Sequence, residues 1–157
     1  MTPTAEVAAR LEAIVTALRD TIGASRVTLR LDWAEHGFDV QDVAAEARAP
    51  GVPSLKGQTS INQRQSPTVL WMGRERRLLV QNDLRHATPP APPALTEVYG
   101  TTAQMLAPIF RNDVLIAWVS VHHNGGPRAW TAADVAALEA AVARVQRALE
   151  GAGPGPR

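Results

Sequence analysis

Apolar residues in the first segment recur at helical spacing: Val7, Leu11, Ile14 and Leu18 lie four, three and four positions apart and share one face. Thr2 stands where an N-cap would, Pro3 suits the first helical position, and Gly23 follows the last apolar turn. The pattern predicts a helix from Pro3 to Ile22. The period then changes to two. In Ser25 to Asp32, Val27, Leu29 and Leu31 alternate with Arg26, Thr28 and Arg30, the signature of a half-buried strand. A turn at His36-Gly37 precedes a second predicted strand, Val43 to Arg48.

Between Ala49 and Thr68, Pro50, Gly51, Pro53, Gly57 and Pro67 exclude long regular structure, and Ser66-Pro67 predicts a short capped helix through Trp71. Arg77 to Gln81 reads as a strand, and the proline-dense run Thr88 to Ala94 as a loop. Ala103 to Phe110 and Val114 to His123 read as strands joined by a tight turn at Arg111-Asn112-Asp113. In the last element Thr131 and Asp134 form a capping box ahead of Val135, Leu138, Val142, Val145 and Leu149. That helix is predicted to end before Gly151, leaving residues 151–157 as a disordered tail after a single domain over 1–150. The order of elements implies an α+β fold, an antiparallel sheet with both terminal helices on one face.

Composition narrows the function classes. With 157 residues, 45% hydrophobic and a net charge of +1, the chain fits one domain with its own core. Its charge gives no pull toward nucleic acid or a membrane, and neither is expected as a partner. The basic run Gly73 to Arg77 is interrupted by Glu75 and reads as a solvated turn. Cysteine is absent, which removes disulfides, thiolate metal ligands and thiol nucleophiles together. The N-terminal segment carries Glu6, Arg10, Glu12, Arg19 and Asp20, unlike a signal peptide or membrane span, so a cytoplasmic location is expected.

The second half carries a family resemblance. Leu78 to Asp83 precedes a variable loop, then Tyr99-Gly100, then Met105 to His122, a strand ending in Pro108-Ile109, a hairpin, and a strand beginning Leu115-Ile116. Pro127 to Thr131 then opens the long helix. This order resembles a GAF domain, the small sensory module related to the PAS fold, with Ala117 where the family usually has glycine. The resemblance implies an antiparallel sheet of about five to six strands, terminal helices on one face and a ligand cavity on the other. It also implies a small organic ligand, since family members bind cyclic nucleotides, bilins, haem, amino-acid derivatives or other metabolites, although some bind nothing.

Strand alternation then sorts the faces. Leu115, Ala117, Val119 and Val121 belong under the helices, and Ile116, Trp118, Ser120 and His122 on the other side. With Thr28 and Arg30, the residues Trp118, Ser120 and His122 make a polar and aromatic cavity floor suited to an anionic or carbonyl group. Trp71 and Tyr99 are candidates to close over a ligand, and Asp83 is a further candidate, although a turn explains an aspartate there equally well. The alternative is structural: Arg30 paired with Glu46 across the strands, and His122 satisfying a loop carbonyl.

His122 and His123 project to opposite faces, so a metal site would need His122 with His86 or Asp83; no metal and no cofactor are expected. The phytochrome GAF domain has a similar His-His pair, one member of which contacts its bilin, but this chain has no cysteine for a thioether bond. Ser120 near His122 lacks a nucleophile elbow, and no phosphate-binding loop is present. The expectation is a non-enzymatic sensory protein binding an unidentified small molecule, or else an interaction module with a closed cavity. Alanines at 132, 133, 136, 137, 140, 141 and 143 predict a homodimer through Pro3–Ile22 and Thr131–Glu150, unless they reflect helix propensity alone.

Overall fold

A computed structural model describes residues 3–152; Met1, Thr2 and residues 153–157 lie outside the described residues. In chain order the main elements are α1 (Pro3–Ile22), β1 (Arg26–Leu31), β2 (Ala45–Arg48), α2 (Pro67–Glu75), β3 (Leu79–Gln81), α3 (Pro93–Glu97), β4 (Thr101–Arg111), β5 (Val114–Asn124) and α4 (Ala132–Ala152). Five strands form one sheet in the order β2-β1-β5-β4-β3, with every neighbouring pair antiparallel. The α+β architecture is thus the expected one.

The helix seams and the aliphatic sheet face close on each other. Leu11, Ile14, Val15 and Leu18 of α1 and Leu138, Val145 and Leu149 of α4 share one core with Val27, Leu29, Met105, Ala107, Val119 and Val121. That burial, the main favourable contribution to folding, fixes the side of the sheet on which the helices lie. Gly23, at φ 69°, ends α1 with its N–H bonded to the Arg19 carbonyl at 2.8 Å. At the start of α4 the capping box is formed in both directions: Asp134 N donates to Thr131 Oγ1 at 3.1 Å, and Thr131 N donates to Asp134 at 3.0 Å. The β4–β5 turn places Asn112 and Asp113 at φ 51° and 64°, a left-handed pair that matches the twist of a two-residue hairpin.

Several boundaries depart from the pattern reading. Helix α4 continues through Gly151 to Ala152, because one glycine weakens a helix without stopping it. Helix α2 reaches Glu75, ending where Arg76 turns left-handed at φ 55°. Ser66 does not cap α2 with its side chain; its hydroxyl lies 3.2 Å from that of Thr68. The proline run gives way at Pro93 to the short helix α3, whose first turn needs no N–H from a proline. Strand β2 begins at Ala45 rather than Val43, whose N–H is bonded to the Asp42 carboxylate at 2.7 Å.

One departure concerns the faces. Ile109 lies opposite Ala117 but Phe110 lies opposite Leu115, so Ile116 is an extra residue in β5. This bulge reverses the alternation at the hairpin end. Ile116 packs against the helix-side core and Leu115 against the cluster on the other face, the reverse of strict alternation.

Candidate functional site

The face of the sheet away from α1 and α4 is organised in rows fixed by strand register. Arg48, Arg26, His122, Gln104 and Gln81 are successive cross-strand partners, a polar row spanning all five strands. Beside it run Glu46, Thr28, Ser120, Leu106 and Leu79, and then Arg30, Trp118 and Pro108. A cavity of about 50 Å³ lies over these rows, with Thr28, Arg30, Trp118, Ser120 and His122 among its floor residues. Its roof comes from the irregular middle of the chain: Leu55, Ile61, Gln63, Val69 of α2 and Leu95 of α3.

At one end of the floor, the fully buried Arg26 organises three separate segments. Its Nε and Nη2 donate to the Pro53 carbonyl at 3.0 and 2.8 Å, and Nη2 also reaches the Tyr99 carbonyl at 3.3 Å. Its Nη1 lies 3.0 Å from both Thr101 Oγ1 and His122 Nδ1. A guanidinium only donates, so Nδ1 of His122 accepts and the ring proton resides on Nε2. Burial, followed by the positive charges of Arg26 and Arg30, holds the His122 pKa well below the usual histidine range. The imidazole is therefore neutral, with its N–H on the nitrogen that Arg26 does not use.

Glu46, the acidic residue of the neighbouring row, is occupied elsewhere. Its carboxylate accepts from Ser54 Oγ at 2.5 Å and Leu55 N at 2.8 Å, with Arg48 at 3.4 Å, and so pins the loop that forms part of the roof. Arg30 does not pair with it. Arg30 Nη1 donates to the Val40 carbonyl at 2.9 Å, which leaves Nε and Nη2 without a hydrogen-bond partner among the described residues. Thr28 Oγ1, Ser120 Oγ and His122 Nε2 are also without hydrogen-bond partners among the described residues, although these side chains are buried. None of these atoms is fully closed off as the unpaired buried atoms of Arg19, His123 and Asn124 are, and they open onto the cavity. Among the described residues no aspartate or glutamate lines it.

The sequence matches the GAF domain family over residues 6–149. The chain belongs to the GAF domain family. Its fold is shared with the cyanobacteriochrome receptor PixJ, at a TM-score of 0.75 and 18% identity over 95% of this chain and 98% of that one. The PixJ GAF domain of Thermosynechococcus elongatus aligns at 0.72 and 18% over 96% and 92% of the two chains. The phycocyanobilin-bound GAF domain of a cyanobacterial phytochrome aligns at 0.68 and 19% over 96% and 93%. No curated protein sequence matches the chain.

Within this GAF domain the candidate residues separate into two groups. Thr28, Arg30, Trp118, Ser120 and His122 converge on the cavity, while Trp71, Asp83 and Tyr99 do not line it. Trp71 packs at the edge of the Val69–Met72 cluster beneath the Arg77 guanidinium, 5.0 Å from its ring centre. Asp83 caps the turn Leu84–His86 and pairs with Arg85, whose hydrogen bonds hold its carboxyl down at about 2. Tyr99 faces a surface groove with Lys56 and Gln58 and gives the Arg26 cluster its carbonyl, with the Arg26 guanidinium 5.9 Å from its ring centre. The arrangement Arg30–Glu46 gives way to Thr28 opposite Glu46, and His122 meets a guanidinium rather than a loop carbonyl.

His123 lies at the end of β5, half-buried, with its Nδ1 unpaired, and its pKa is lowered by burial and by Arg128. Trp130 anchors the following turn by donating Nε1–H to the Gln81 carbonyl at 3.2 Å. No group of three or more His, Asp or Glu side chains positioned to hold a metal occurs among the described residues. Pattern reading missed Arg26, Gln63 and Gln104. Arg26 shares its strand parity with Thr28 and Arg30, and Gln104 has the parity opposite to Met105, so alternation alone marked both.

Proposed function

We propose that this GAF domain is a non-enzymatic sensory module that binds a small molecule bearing an anionic or carbonyl group on the cavity side of its sheet. The observation that carries the reading is the set of buried polar groups with no protein partner at Thr28, Arg30, Ser120 and His122 around one cavity. Buried hydrogen-bonding groups are normally satisfied, so such a set is stable only when something polar occupies the space between them. Acid-base chemistry is disfavoured by the His122 tautomer. Its Nδ1 is taken by Arg26 and its Nε2 carries a proton, which leaves no basic nitrogen to activate Ser120.

The phycocyanobilin named with one structural neighbour suggests a chromophore, but two features oppose it here. The chain has no cysteine, and 50 Å³ falls far below the roughly 300–1,000 Å³ of a typical ligand pocket. A thermal-shift screen of small metabolites on the whole chain tests the reading: a ligand should raise the melting temperature in a saturable way. Failure of every compound, together with a ligand-free mass in native mass spectrometry of freshly purified protein, would count against it.

A second function, dimerisation, draws support from the helix pair. Ala9 and Ala13 of α1 and Ala133, Ala136 and Ala140 of α4 are exposed, leaving a shallow face of small side chains that a second copy would pack on closely. Arg10, Arg144 and Arg147 line a groove on this pair together with Ala13, so like charges border the small-residue face and disfavour a contact centred on them. Light scattering should then give twice the chain mass at micromolar protein, and a monomer mass would remove this reading.

A further inference from the structure

We infer that the ligand is a short-chain monocarboxylate without an amino group, held by Arg30; this rests on the sensory reading above. Among the described residues Arg30 is the one charged side chain lining the cavity; it is 5% exposed, and its hydrogen bond to protein goes to the neutral Val40 carbonyl. The nearby Arg26 is likewise buried and bonded only to neutral groups. Glu46, the acid of the adjacent row, is committed to Ser54 and Leu55. Neither buried guanidinium has a carboxylate in hydrogen-bond contact, Asp42 and Glu46 acting on Arg30 only from a distance, which leaves room for a negative charge beside its free Nε and Nη2. A carboxylate fits that fork, since its two oxygens accept in parallel from one guanidinium.

Thr28, Ser120 and the Nε2–H of His122 add donors on the floor, whereas Ile61, Val69, Leu95 and Leu106 offer only hydrocarbon. A charged head on the floor and a short aliphatic tail under the roof satisfy both. A cavity of about 50 Å³ is small beside the roughly 300–1,000 Å³ of an ordinary ligand pocket, which limits the occupant to a few heavy atoms. Because no acidic side chain among the described residues lines it, an ammonium group would enter without a counter-charge, and amino acids are rejected.

The test is a titration of the whole chain with sodium propionate, propionamide, β-alanine and sodium chloride at matched ionic strength, followed by NMR of the Trp118 indole N–H. That resonance is assigned by its loss in Trp118→Phe. Propionate should shift it saturably in the millimolar range or below, and propionamide and β-alanine should bind at least tenfold more weakly. Arg30→Met should weaken propionate at least tenfold, while Arg144→Ala on the helix surface leaves it unchanged. Equal binding of acid and amide to the wild-type chain overturns the inference, and does so even if Arg30→Met does not fold. A screen that yields a neutral or cationic ligand but no carboxylate overturns the ligand class and leaves the sensory reading standing; absence of any ligand overturns both.

Discussion

Arg26 Nη1 lies 3.0 Å from Nδ1 of His122, joining two fully or nearly fully buried residues that are separated by 96 positions in the chain. The same guanidinium gathers the carbonyls of Pro53 and Tyr99 and the hydroxyl of Thr101, so one side chain ties the loop after β2 and the start of β4 to the middle of the sheet. Arg26→Met keeps most of the volume but strips donors from these acceptors. Each buried acceptor left bare costs about 1–3 kcal/mol, so a loss of at least about 2 kcal/mol is expected in urea unfolding. A loss within about 0.5 kcal/mol, typical of surface changes, would show that the cluster is not structural.

The neutral state of His122 predicts a pH dependence with a definite sign. In the unfolded chain this residue protonates below about pH 6.5, whereas the folded protein resists the proton because of burial and of Arg26 and Arg30. The unfolded state therefore binds more protons, and stability falls as pH drops from about 6.5 toward the lowered folded value. His122→Gln keeps a hydrogen-bonding side chain but removes the titration. Urea midpoints between pH 7.5 and pH 5 should decline less steeply in this variant, the remaining slope including His123, whose pKa burial and Arg128 also lower. An unchanged slope would mean that His122 protonates as readily in the fold as out of it.

The capping box of α4 gives a local prediction. Thr131→Ala removes the acceptor for Asp134 N, and loss of such a cap costs about 1 kcal/mol. The melting temperature should drop by a few degrees with no change in ligand response, because α4 lies on the opposite face from the cavity.

Those elements whose cause is local were legible in the sequence. The Val7–Leu18 seam, the Thr131–Asp134 box and the alternation of Val27, Leu29 and Leu31 each act within a few residues, and each marks an element that forms there, α4 running two residues past its expected end. Alternation also brought Thr28, Arg30, Trp118, Ser120 and His122 to one face, since β1 and β5 are neighbours in register. The rest depends on long-range partners. Nothing near Arg26 in the chain announces Thr101 or His122, and the bulge at Ile116 reflects a mismatch between two strands rather than a property of either. Trp71 and Tyr99 sit in the irregular middle, where side-chain direction follows from loop path, and their nearby guanidiniums, Arg77 and Arg26, became visible only in the folded chain. Asp83 followed its local turn chemistry, which accounts for its absence from the cavity.

The most direct measurement of the central claim, that the partnerless polar groups of the floor exist for a ligand, is urea unfolding of the double variant Thr28→Val/Ser120→Ala beside the wild-type chain. Apolar replacement of hydroxyls that lack protein partners removes a desolvation cost, so the free variant should be as stable as the wild type or more stable, and should no longer be stabilised by the ligand. A loss of more than about 1 kcal/mol in the absence of ligand, the worth of a typical hydrogen bond, would show that these hydroxyls serve the fold and would contradict the account.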